Sequence, residues 1–354
     1  MSVGNSRPGI RGAWLSANNS IPAAALFGCA GLSLSEAERR FFAQVDPLGF
    51  ILFARNIASP DQVRELVRQL RDSVGRADAP VLIDQEGGRV QRLRPPHWRS
   101  APPGAAFAAL ADRDLDGAMA ALRLNYRLIG QELADLGIDV DCAPVLDVPV
   151  AGAHDVIGDR AFGQTPDRVA DLGRAVCDGL LDQGVLPVIK HIPGHGRAMV
   201  DSHLSLPVVH AGRAELEAQD FAPFIALRDQ PWAMTAHVVY TAIDDRAPAT
   251  TSVKVIGEII RGLIGFEGLL ISDDLSMKAL GGSFAERTTA SLAAGCDVVL
   301  HCNGQMDEMN AIAAALRPLS ENARERLARG QRLKRNQGAV DAVAAAAEIA
   351  RMLA

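Results

Sequence analysis

One short polar stretch concentrates the groups that could do chemistry. Lys190-His191-Ile192-Pro193-Gly194-His195-Gly196 is followed closely by Asp201-Ser202-His203, which brings together a lysine, three histidines and an aspartate. Residues two apart do not face each other on a helix, but they can across a tight loop turn. Asp201 is therefore expected to hydrogen-bond His203. An imidazole held by a carboxylate has a fixed tautomer and a stabilised cation, which suits a general acid/base near neutral pH. The competing reading of the same residues is a metal site made of His191, His195 and His203. It lacks the helical i, i+4 presentation and the accompanying carboxylate motif that such sites use. Other ionisable residues close short apolar runs elsewhere: Asp84, Asp147, His237, the pair Asp273-Asp274, and His301 with Asn303 nearby.

Those runs are the elements that must position the polar groups. Eight segments have several consecutive apolar residues, as strands buried on both faces do: 24–28, 49–53, 81–84, 138–142, 186–190, 233–237, 269–272 and 298–301. Helical patterns separate them. Ser33-Leu34-Ser35-Glu36 reads as a capping box opening a helix to Gln44. Ser59-Pro60 opens the next, to Ser73, with proline at the first helical position. The third covers 115–136 and stops at Gly137. Thr165-Pro166 begins the fourth, with Gly184 beyond its end, and 213–229, 252–263, 283–294 and 306–316 supply the rest. Eight strands alternating with eight helices predict an α/β chain folded as a (β/α)8 barrel, one domain over 1–354. The barrel is expected over about 23–317, with two outer helical stretches after it. The turn after the first strand, Cys29-Ala30-Gly31-Leu32-Ser33, is no dinucleotide fingerprint, which argues against a doubly wound sheet.

In such a barrel the site lies at the carboxyl ends of the strands. There the chain places Asp84, Asp147, Lys190-His191, His237, Asp273-Asp274 and His301, while Gly49, Pro80, Pro187, Pro231 and Gly268 mark the other rim. The fifth strand is followed by a connection running to about Ala211. Loops that long in barrel units are commonly active-site loops.

Composition excludes several classes. A formal net charge of −6, with no basic run, offers no footprint for nucleic acid. The five cysteines form no CxxC pair and fit neither a zinc site nor a disulfide framework. They read as buried thiols in a reducing compartment, so the cytoplasm is expected. The run Ile21 to Ala30, preceded by Arg7 and Arg11, loosely resembles an export signal ending in Cys29, yet Pro22 interrupts it and Phe27 is bulky. It is better used as the first strand. No stretch is apolar and long enough to span a membrane.

The motif Lys190-His191-Ile192-Pro193-Gly194-His195-Gly196 with Asp201-Ser202-His203 is similar to the hallmark of family 3 glycoside hydrolases, specifically the bacterial β-N-acetylglucosaminidases of cell-wall recycling. Asp84-Gln85-Glu86-Gly87-Gly88-Arg89-Val90-Gln91-Arg92, Ala143-Pro144-Val145-Leu146-Asp147-Val148, Ile157-Gly158-Asp159-Arg160 and Ile271-Ser272-Asp273-Asp274-Leu275-Ser276-Met277 resemble the same family, in order from about Leu26 to Asn303. The resemblance implies a retaining exo-β-N-acetylglucosaminidase (β-N-acetylhexosaminidase). Asp273 matches the nucleophile, and His203, oriented by Asp201, the acid/base. Asp84, Arg92, Arg160, Lys190 and His191 match the residues that hold the terminal sugar. It further implies a saccharide partner, GlcNAc on anhydro-N-acetylmuramic acid with or without peptide. No cofactor or metal, no nucleic acid or membrane partner, and a monomer are expected. Ile192 stands where the family has an aromatic, and Ala161-Phe162 where it has a Ser-aromatic pair. With 5% aromatic residues, a small charged pocket for one terminal sugar is expected rather than a long stacking groove.

Overall fold

The computed structural model describes residues 21–152, 155–200, 202 and 205–354. Eight parallel strands close on themselves in sequence order: β1 Ala23–Phe27, β2 Pro47–Leu52, β3 Val81–Ile83, β4 Val140–Asp141, β5 Leu186–Ile192, β6 Trp232–Thr235, β7 Leu269–Asp274 and β8 Val298–His301. The last strand pairs with the first in register Leu26 with Leu300, completing the ring. The expected (β/α)8 barrel is therefore the fold. Its strands read as apolar runs because every residue of β2, β3, β6 and β8 is buried. Strand entries need close backbone approach: a Cβ on Gly49 would lie 2.2 Å from the Pro80 carbonyl oxygen, so only glycine fits there.

Helices Glu36–Val45, Pro60–Val74, Leu115–Ala134, Pro166–Leu181, Phe284–Ala294 and Met306–Ala313 surround the barrel. The first is capped one step later than its sequence suggested. Ser35 accepts from Glu38 N and Glu38 reaches back to Ser35 N, so the box is Ser35/Glu38 rather than Ser33/Glu36. The helix expected over 213–229 is broken into a turn at Arg213–Glu215, a π-helical turn at Leu216–Asp220 and a short helix at Ala222–Ala226. Pro223 has no N–H to continue the ladder. The 252–263 helix is π-helical over Val255–Leu263, with Ser252 Oγ accepting from Val255 N. A short helix, Gly104–Ala111, was not anticipated.

The chain ends in two helices, Glu321–Gln331 and Ala342–Leu353. The segment between them is fastened to the barrel. Arg335 pairs with Asp178 and Asp182, each at 2.8 Å, and Val340 N donates to Gln131 Oε1 at 2.6 Å. Among the described residues no helix is long and apolar enough to cross a membrane.

Candidate active site

The end of β3 builds one half of the site. Asp84 leaves the strand into a hairpin, Gln85–Gly87 against Val90–Gln91. Gln85 holds the hairpin closed by accepting from Arg92 N and Leu93 N at 2.8 and 3.0 Å. That closure returns Arg92 to Asp84, 3.1 Å away. Successive residues of an extended segment point to opposite faces, so Asp84 and Glu86, two apart, share one. Both meet the Lys190 ammonium, at 2.9 and 2.7 Å. Glu86 then takes the Arg160 guanidinium in a two-pronged pair, Nε and Nη2 each at 2.8 Å. Arg160 is presented by the turn Gly158–Arg160. Arg89 anchors that turn through Asp159 at 2.7 Å and the carbonyls of Asp155, Val156 and Ile157.

The result is one continuous network, Arg92–Asp84–Lys190–Glu86–Arg160, with three cations and two carboxylates. Burial alone would push both carboxyls up. Lys190 and Arg92 outweigh it at Asp84, holding that group well below the usual carboxylate range. Arg160 and Lys190 do the same for Glu86, which lies at about 2. Lys190 is in turn raised: burial opposes its charge, but Asp84 and Glu86 more than compensate. Asp84, Glu86, Lys190 and Arg160 are therefore ionised, and no member of the network is a buried charge left alone.

The ends of β4 and β5 build a second cluster. Asp147 accepts from His191 Nδ1 at 2.7 Å, from His191 N at 3.2 Å and from His195 N at 2.6 Å. These bonds and the two imidazoles overcome burial and hold Asp147 at about 2. His195 is pushed down to about 4 by burial and by His191. Its Nε2 lies 3.2 Å from Ser202 Oγ. The peptide bonds Ala143-Pro144, Lys190-His191 and Ile192-Pro193 are cis. Gly196 packs so tightly on Val148 that a Cβ would lie 2.0 Å from its carbonyl oxygen. Arg197 clamps the loop to the broken helix through Asp220 and Glu215, at 2.7 and 2.6 Å.

The third cluster sits at the end of β7. Asp273 N donates to Thr235 Oγ1 at 3.4 Å, and Asp273 Oδ1 accepts from Asp274 N at 2.8 Å. Its charge acts on both His195 and His237, so the three lie in one neighbourhood. His237 Nε2 donates to the Asp274 carbonyl at 3.0 Å, while Nδ1 is hydrogen-bonded to Thr250 Oγ1 at 2.7 Å. His237 thereby fixes the backbone that carries Asp273. Ser283 caps the helix after β7. The Asp274 carboxylate ties the turn to β8, accepting from Ser276 N at 3.0 Å and Cys302 N at 3.1 Å.

Of the residues singled out in the sequence, Asp84, Arg92, Arg160 and Lys190 join one network, His191 is held by Asp147, and Asp273 closes β7 on the same rim. Asp201 and His203 lie outside the described residues. Glu86, quoted within its motif but given no role, was missed; its two-residue spacing from Asp84 on an extended segment was the available signal. Among the described residues no three His, Cys, Asp or Glu are grouped to hold a metal. The rim can offer a polyhydroxylated ring charged donors and acceptors on one side and an ionisable carboxylate, Asp273, on another.

The sequence matches the model for the glycosyl hydrolase family 3 N terminal domain over residues 28–335. It is 42% identical over 300 residues to a β-hexosaminidase of Alkalilimnicola ehrlichii, covering 84% of each chain. A second β-hexosaminidase, from Methylococcus capsulatus, is 42% identical over 282 residues, 78% of this chain and 82% of that one. Among solved structures, NagZ from Neisseria gonorrhoeae in complex with N-trifluoroacetyl-D-glucosamine superposes with a TM-score of 0.83 at 32% identity, covering 94% of this chain and 98% of that one.

Proposed function

The chain belongs to glycosyl hydrolase family 3 and is a glycoside hydrolase of the β-N-acetylhexosaminidase type, and from that premise we propose a retaining, exo-acting mechanism. Asp273 attacks the anomeric carbon of a terminal β-linked GlcNAc, and its oxygen forms a bond as the glycosidic C–O bond breaks. His203, oriented by Asp201, gives its proton to the departing oxygen. In the second step His203 takes a proton from water, which attacks the anomeric carbon and releases Asp273. Both steps pass through an oxocarbenium-like transition state. After giving up its proton His203 is a neutral imidazole, so at no stage does it set a second negative charge near the nucleophile.

The observation that carries the reading is the ionised network on the same barrel rim as Asp273. Asp84 accepts from sugar hydroxyls, while Arg92, Arg160 and Lys190 donate to them. His191, its ring fixed by Asp147, completes the grip. A compact charged pocket of this kind suits one terminal sugar. The proposed substrate is GlcNAc β-1,4-linked to anhydro-N-acetylmuramic acid, with or without peptide, cut by a cytoplasmic monomer during peptidoglycan recycling. Support comes from the likeness to bacterial relatives of similar length, including one solved with a glucosamine derivative.

The test is release of an aryl aglycone from a β-GlcNAc glycoside and from the matching β-glucoside, in EDTA, by wild type and Asp273→Asn. Cleavage of the GlcNAc substrate alone, lost in the variant, is expected. Equal or better cleavage of the glucoside would overturn the substrate assignment. Cleavage of neither would point to a sugar-binding protein. Muropeptide digestion followed by mass spectrometry then tests the proposed aglycone.

A further inference from the structure

Glu86 touches two of the three cations that the proposed function places on the sugar, Arg160 and Lys190, and no role described so far requires it. Its carboxylate is 6% exposed, takes Arg160 through two nitrogens at 2.8 Å each, and stands 2.7 Å from Lys190 Nζ. Its backbone is fixed too: the Glu86 carbonyl accepts from the buried Tyr126 hydroxyl at 2.9 Å. We propose that Glu86 is a positioning residue, which aims Arg160 and Lys190 at the sugar. This rests on the reading of those two cations as sugar-holding.

The argument is one of geometry and charge balance. A guanidinium has five N–H donors in a rigid fork. Glu86 occupies the Nε edge, and the Val156 carbonyl takes one Nη1 hydrogen at 3.2 Å. The plane of Arg160 is then set, and its remaining donors have one direction. Lys190 has a long flexible stem. Carboxylates of Asp84 and Glu86 on two sides of its ammonium hold it in one place. Removing the Glu86 charge leaves Arg92, Arg160 and Lys190 crowded against the single carboxylate of Asp84. Repulsion then pushes the three cations apart and off their aim. Glu86 is one of the two carboxylates that raise Lys190, with burial opposing them.

The experiment is steady-state kinetics of Glu86→Gln, Lys190→Ala and Arg160→Ala on an aryl β-GlcNAc glycoside, from pH 5 to the alkaline limit of stability. For Glu86→Gln, KM is expected to rise about tenfold or more while kcat stays within about threefold, the pattern of lost uniform binding. That split, read beside Lys190→Ala and Arg160→Ala, is one that a merely loosened fold would not produce. An unchanged KM in Glu86→Gln, with KM raised in the other two variants, would overturn the positioning role alone. Unchanged KM in Lys190→Ala and Arg160→Ala would sink the sugar-holding reading and this inference together. Should Glu86→Gln not fold, Glu86→Asp decides: a carboxylate one methylene shorter should raise KM with kcat within about threefold, and an unchanged KM would count against the proposal.

Discussion

Asp147 and His191 form a buried carboxylate–imidazole pair, 2.7 Å apart, whose carboxylate also accepts the backbone N–H groups of His191 and His195. One side chain at the end of β4 therefore orients both a ring and the start of the β5 loop. Donation of Nδ1–H to Asp147 leaves Nε2 as the ring nitrogen that Asp147 does not engage. Asp147→Asn should lower kcat/KM by about 10- to 100-fold, with the ring misplaced or in the wrong tautomer. The same change has a pH consequence. Asp147 lies at about 2 in the fold against 3.8 ordinarily. A depressed carboxylate stabilises fully above its unfolded value, and that stability is lost as pH falls through its folded value. About 2 kcal/mol should disappear between roughly pH 4 and pH 2 in wild type and not in the variant. Denaturation midpoints across that range check it; parallel curves would sink the assignment.

Asp274 ties two strand ends together by accepting from Ser276 N and Cys302 N. Asp274→Ala should leave those two N–H groups unsatisfied, costing about 1–3 kcal/mol. Because Asp274 N also donates to Asp273 Oδ1, kcat should fall about tenfold as the neighbouring carboxylate shifts. Stability and kcat measured on one preparation test this. A loss of stability with kcat intact would show that the turn can relax without moving Asp273.

Asp182 is fully buried and receives Arg123 at 2.8 Å and Arg335 at 2.8 Å. Both arginines are about two-fifths exposed, so they can find water when the carboxylate is removed. The buried partner is lost, and the link to the C-terminal segment goes with it. Asp182→Ala should cost about 2–3 kcal/mol and leave KM and kcat unchanged. A changed KM would show that the C-terminal helices act on the site.

The architecture was readable because parallel barrel strands are buried on both faces and so appear as plain apolar runs. Each run contained or overlapped an observed strand, and the ionisable residues at their ends did gather on one rim. Element edges were less legible. Ser33 and Ser35 both precede a glutamate three residues later, and only packing against the barrel chooses between them. The helix at 213–229 carried the right periodicity but also Pro223, which splits it. The tie made by Asp274 was not legible because its partners, above all Cys302 N, come from another strand end and leave no mark in local sequence. Glu86 was passed over for a similar reason: Lys190 and Arg160 reach it from 104 and 74 positions away.

His195 makes the fold acid-sensitive in a separate window. It lies at about 4, pushed down by burial and by His191, against 6.5 ordinarily. Between those values the unfolded chain binds the proton and the folded chain does not. Stability therefore rises with pH through the window, is complete above about pH 6.5, and is lost as pH falls towards 4. The shift corresponds to about 3 kcal/mol for this nearly buried ring. His237 and His301, also lowered by burial, act with the same sign. Glu132 and Asp220, raised by burial to about 7 and about 6, act with the opposite sign over the same range. The wild-type slope alone is thus a balance, and the informative quantity is its difference from His195→Gln. That variant should lose less stability than wild type between pH 7 and pH 4.5, in urea denaturation at each pH. Equal losses would mean that His195 is protonated as readily in the fold as out of it, and that its contacts with Asp147 through the backbone and with Ser202 do not keep the ring neutral.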